Sequence, residues 1–134
     1  MSAVFVDSNV LIDLLRPSQA WLHWSQEALS RAGERSRLVI NVIVYAEVSM
    51  GFDDPGFADA AIPADIKREA IPYEAAFVAG KAFRQYRRSG GQKSAPLPDF
   101  FIGAHALVAG YELLTHDAKR YRSYFPKLTL IAPN

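Results

Sequence analysis

The chain predicts an α/β fold, a three-layer α/β/α sandwich in which helices cover both faces of a mainly parallel sheet. Three observations predict it. Short apolar runs rich in β-branched residues alternate with stretches of helical spacing from one end to the other. Two of those runs stop on an acid, and one stops on an asparagine suited to cap the next helix. The length, 134 residues, suits one core and therefore a single domain spanning 1–134.

The elements follow in order. "AVFVD" reads as a buried strand over residues 3–7, with a helix from about Asn9 to Leu15, capped by Asn9 and ended by Pro17. "SQAWLHWSQEALSRAGE" has Leu22, Ala28, Leu29 and Ala32 at helical spacing. "RLVINV" is a second strand, and "VIVYAEVSM" a helix whose cap is Asn41. "FDDPGFADAAIPAD" holds a short helix among turn residues, and "AIP" at 70–72 a brief strand. "YEAAFVAGKAFRQYRR" is a helix with Ala76, Ala79, Phe83 and Tyr86 along one face, followed by the loop "SGGQKSAPLP". "DFFIGAHALVAG" is an apolar helix with Asp99 in its first turn. "ELLTHD" is a strand ending at an acid, and "LTLIA" a closing strand.

Composition narrows the classes. There are no cysteines, which excludes disulfides, thiolate ligands and a cysteine nucleophile. No apolar run approaches the ~20 residues of a membrane span, so a cytoplasmic protein is expected. Fifteen basic residues against fourteen acidic give a net charge of +1, which does not mark a nucleic-acid binder. The distribution is more telling: between Ala75 and Pro98 lie Lys81, Arg84, Arg87, Arg88 and Lys93, with no acid. Lys81, Arg84, Arg87 and Arg88 form a ridge on their helix, suited to phosphates or simply solvated.

Four carboxylates fall at one edge of the predicted sheet. Asp7 ends the first strand, Asp117 follows "ELLT", Asp99 opens a helix, and Glu47 lies one turn into the helix after "RLVINV". Ligands in parallel α/β folds bind beyond the carboxyl ends of strands. Glu47 shares a stripe with Ile43 and Met50, an apolar face where an unpaired carboxylate is costly, and no Lys or Arg lies within a turn of it. A hard divalent cation would relieve that cost and the mutual repulsion, because it prefers carboxylate and water oxygens.

"FVDSNVLIDLLR", "NVIVYAEV", "PDFFIGAHALVAGYELLTHD" and "LTLIAP" in this order and spacing resemble a PIN-domain ribonuclease, specifically a VapC-type toxin of a toxin–antitoxin pair. The resemblance spans nearly the whole chain, is weak over 52–70, and departs from the family's small aliphatic residues at "DFFIGA". It implies an acidic site of Asp7, Glu47, Asp99 and Asp117, supported by Ser8, Asn9 and Thr115. It also implies one or two Mg²⁺ or Mn²⁺ ions, RNA hydrolysis by water, a homodimer and a cognate antitoxin protein.

Three rivals fit less well. An aspartyl-nucleophile phosphatase needs a second Asp two residues after the first, where this chain has Asn9. A receiver-type signalling domain wants an acidic pair at the first strand and a lysine after the last; "VFVDSN" and "LTLIAPN" supply neither. A PIN-fold RNA-binding or assembly module without cleavage would not need all four acids.

The remaining polar residues receive plainer expectations. His105 is a core residue, His23 lies on a helix surface, and Asp13 is a solvated charge. His116 either supports Asp117 or points away from it. Trp21 and Trp24 are either core, the expected reading, or an antitoxin groove. Removing one of four repelling charges, as in Asp99→Asn, is expected to leave the metal-free fold at least as stable.

Overall fold

The computed structural model describes residues 3–16, 20–90 and 97–133. Its elements are β1 (Ala3–Val6), α1 (Ser8–Leu15), α2 (Leu22–Arg35), β2 (Arg37–Ile40), α3 (Val42–Ser49), α4 (Pro55–Ala61), β3 (Ile66–Arg68), α5 (Tyr73–Arg88), α6 (Leu97–Ala109), β4 (Glu112–Leu114), α7 (Ala118–Tyr124) and β5 (Leu130–Ile131). The sheet has the order β3-β2-β1-β4-β5, and every neighbouring pair is parallel. The expected three-layer α/β/α arrangement is therefore found. Central β1 is buried along its whole length, because helices cover both of its faces.

Register sets where the polar residues lie. Val6 pairs with Leu114, and Ile40 pairs with Arg68. One residue further on, Asp7, Thr115, Asn41 and Glu69 all emerge at the carboxyl edge. The Asp7 N–H continues the ladder by donating to the Leu114 carbonyl at 2.9 Å.

Several boundaries differ from the sequence reading. α1 starts at Ser8, with Asp7 as its N-cap in place of Asn9. α2 begins only at Leu22. The strand expected at 70–72 is instead β3 at Ile66–Arg68, with Lys67 and Arg68 exposed. α7 was not anticipated: "AKRYRSY" looks polar, yet Tyr121 is fully buried. Asn41 caps α3 as expected, accepting from the N–H groups of Ile43 and Val44. Pro17, Lys93 and most of the "SGGQKSAPLP" loop lie outside the described residues.

Two packing details hold the helices that carry the site. A Cβ on Gly103 of α6 would lie 2.5 Å from ring carbons of Phe125, so only glycine lets the end of α7 seat this closely. Under α3, His105 is fully buried between two partners. Asn41 uses its oxygen on the α3 cap, so its Nδ2 donates to His105 Nδ1 at 3.1 Å. His105 Nε2 then donates to Glu69 at 3.2 Å, and Tyr111 donates to the same carboxylate at 2.7 Å. Burial lowers the His105 pKa, keeping the ring neutral in this relay.

Candidate active site

Asp7 sits where a strand and a helix both fix it. As N-cap of α1 it accepts from the Ser8 N–H at 2.7 Å, and its other oxygen accepts from Thr115 Oγ1 at 2.8 Å and Asn9 Nδ2 at 3.3 Å. Thr115 is itself held, accepting from Asn9 Nδ2 and from the Asp117 N–H. Every one of these donors is neutral. Asp7 is only 3% exposed, and burial, with Asp99 and Glu47 nearby, pushes its pKa up to about 7 despite the Thr115 bond.

Glu47 is joined to that group through Ser8, whose hydroxyl donates to it at 2.7 Å. Its burial differs in detail from the sequence argument. Met50 is 78% exposed, so the buried stripe of α3 is Val44 and Val48, and Glu47 lies at its margin. Burial still raises its pKa, with Asp99 adding to the effect.

Asp99, in the first turn of α6, and Asp117, before α7, are held differently. Arg120 reaches both: Nη1 bonds Asp99, and Nη2 lies 2.8 Å from Asp117. Burial raises the Asp99 pKa, and Arg120 opposes the rise. Sequence reasoning missed Arg120 because it missed α7. The usable signal was its spacing three residues after Asp117, one helical turn away. No cation among the described residues pairs with Asp7 or Glu47.

The structure thus brings Asp7, Glu47, Asp99 and Asp117 to one edge, with Ser8, Asn9 and Thr115 bonded to them. Among the described residues it does not gather three acidic or histidine side chains into a ligand set. The donor chemistry nevertheless fits a hard divalent ion, being all oxygen, with two of the acids lacking an ion-pair partner among the described residues. A further polar atom faces the site: the Tyr121 hydroxyl is buried beside Asp7, whose proximity adds to burial in raising the hydroxyl's pKa.

Neighbouring polar residues are more ordered than expected. Asp13 is not a solvated charge; it is largely buried, accepts from Ser25 at 2.8 Å and pairs with His116 Nδ1 at 2.7 Å. His116 also stacks on Trp21, ring centroids 4.8 Å apart. Trp24 packs on the core, but Trp21 is 38% exposed, so the core reading holds for one of the two. Lys81, Arg84, Arg87 and Arg88 lie exposed on α5 and contact none of the four acids. The turns that carry them pack Phe83 and Tyr86 against Phe100, next to Asp99.

Comparison with sequence families matches residues 4–125 to the PIN domain. The chain belongs to the PIN-domain family. No curated protein matches it in sequence. Solved structures with the same fold include a chain of VapBC2 from Rickettsia felis bound to a promoter DNA fragment, 15% identical with a TM-score of 0.77, covering 97% of this chain and 98% of that one. VapBC-1 from nontypeable Haemophilus influenzae gives 20% identity and a TM-score of 0.76, covering 97% of each chain. A toxin–antitoxin complex from Klebsiella pneumoniae gives 22% and 0.70, covering 99% of this PIN domain and 98% of its counterpart. No helix among the described residues of this PIN domain is long and apolar enough to cross a membrane.

Proposed function

We propose that this PIN domain is a divalent-metal-dependent endoribonuclease and the toxin of a toxin–antitoxin pair. The observation that carries the reading is Asp7: a carboxylate at the end of the central strand, nearly fully buried, facing Glu47 and Asp99, with only neutral donors around it. A fold keeps such a group for the site rather than for stability. Bound Mg²⁺ or Mn²⁺ would supply charge stabilisation on a phosphodiester and a more acidic water.

The chain's own residues have distinct parts in this. Asp7 and Asp99 would hold the ion, with Glu47 and Asp117 completing its surroundings or orienting water. Ser8, Asn9 and Thr115 fix the rotamers of Asp7 and Glu47, so that little reorganisation remains when charge develops on the phosphate. Attack by water leaves 5′-phosphate and 3′-hydroxyl ends. Lys81, Arg84, Arg87 and Arg88 would contact RNA phosphates, giving affinity with little sequence preference.

The toxin assignment rests on the family together with VapBC neighbours and one neighbour named as a toxin–antitoxin complex. The partner would be a small antitoxin, covering Trp21 and placing a basic side chain in the acidic pocket, on a homodimer of this chain. The test is incubation of the purified protein with total RNA in Mg²⁺, Ca²⁺ or EDTA. Cleavage in Mg²⁺ alone, lost in Asp7→Asn, is expected. Equal cleavage in EDTA removes the metal reading, and RNA bound but uncut favours a binding module. Co-expression with a cognate antitoxin should give a complex that no longer cuts.

A further inference from the structure

We infer that Arg120 is an internal counter-ion of the acidic site, which holds Asp99 and Asp117 together until a divalent metal ion displaces it. The inference rests on the metal-site reading above and deepens it.

Three observations on Arg120 carry it. One guanidinium reaches two of the four acids through different nitrogens, which is the geometry of a bridge rather than of a lone surface pair. The two ends differ in burial: the Asp99 side chain is 7% exposed, while that of Arg120 is 41% exposed and has a path outward. Its helix does not depend on the bridge for its seat, because Tyr121 and Phe125 bury themselves against α6 over Gly103.

The consequence is competition. Asp99 has Arg120 as its hydrogen-bonding partner across the site, and an ion that takes Asp99 must break that charge-assisted bond. A guanidinium left beside a bound dication would also repel it. Arg120 therefore lowers the metal affinity of the site while keeping its acids compatible with a folded chain. An ordinary structural ion pair would stabilise the fold equally whether or not metal is present.

The experiment is Mn²⁺ titration followed by electron paramagnetic resonance, with melting curves in EDTA and in saturating Mn²⁺, for the parent, Arg120→Gln, Arg120→Lys and Asp7→Asn. Arg120→Gln should bind Mn²⁺ about tenfold more tightly, as expected when one charge-assisted bond no longer competes. It should melt below the parent in EDTA, and the gap should close or reverse in Mn²⁺. Arg120→Lys, which keeps the charge but not the fork, should fall between them. Asp7→Asn should lose affinity, locating the ion at this site. Unchanged or weaker Mn²⁺ binding by Arg120→Gln with native circular dichroism, or the same melting deficit with and without Mn²⁺, overturns the counter-ion role while leaving the nuclease reading intact. A parent that binds no Mn²⁺ overturns both.

Discussion

On the side of the site formed by α1 and α3, Asp7 and Glu47 are held by neutral donors alone. On the side formed by α6 and α7, Asp99 and Asp117 share the guanidinium of Arg120. Both sides bury carboxylates at the same sheet edge, yet only one supplies its own positive charge. The first side therefore carries the larger electrostatic cost in the metal-free protein, and it is where an external cation has most to gain.

The largest expected effect comes from neutralising the uncompensated side. Asp7→Asn should lower RNA cleavage about a thousandfold or more, the rate equivalent of losing several kcal/mol of transition-state stabilisation. The same variant in EDTA at pH 8 should melt above the parent, since asparagine also serves as an N-cap. At pH 5, where Asp7 of the parent is already protonated, that difference should vanish. A variant that melts lower at both values would break the contrast.

The parent itself offers a second test, by pH. The Asp7 carboxyl titrates at 3.8 when unfolded and at about 7 when folded. Between those values the unfolded chain has released a proton that the folded chain retains, so rising pH favours unfolding. The stability of the metal-free protein should fall between pH 4 and pH 7 by up to about 4 kcal/mol from this group, and level off above. Chemical denaturation in EDTA across that range measures it.

Disturbing the compensated side should act through packing. In Gly103→Ala the new methyl meets Phe125 and Tyr121, so α7 must shift, at about 1–3 kcal/mol of stability by melting. Asp99→Asn should change metal-free stability by only about 1 kcal/mol or less, because the relief of a buried charge is largely offset by the lost bond to half-exposed Arg120. The sequence alone suggested relief for that variant; the larger relief belongs to Asp7, since Asp99 already has a cation. The smallest effect should come from Arg84→Ala with Arg88→Ala. RNA binding should weaken and the slope of log Kd against log salt fall by about 1.4, with Mn²⁺ binding untouched.

What was legible in the chain follows the same division. Asp7, Asn41 and Asp99 were readable because each follows or opens an element marked by strong apolar patterning, and parallel strands bring such ends to one edge. Ser8, Asn9 and Thr115 were readable only through family resemblance. Arg120 was not, since α7 has cations at three of its seven positions and its burial depends on Gly103, fifteen residues before the helix starts at Ala118. The Asp13–His116 pair joins residues far apart in sequence, with no local signal. β3 was misplaced because a three-residue edge strand with two exposed residues has almost no pattern to read.

The most direct measurement is the titration of the Asp7 carboxyl carbon by NMR, in EDTA and in saturating Mg²⁺. A midpoint near 7 in EDTA that drops to the ordinary carboxylate range or below in Mg²⁺ is the predicted result. An ordinary midpoint near 4 in both conditions would show that the carboxylate is already satisfied, and would contradict the claim that this side of the site awaits a cation.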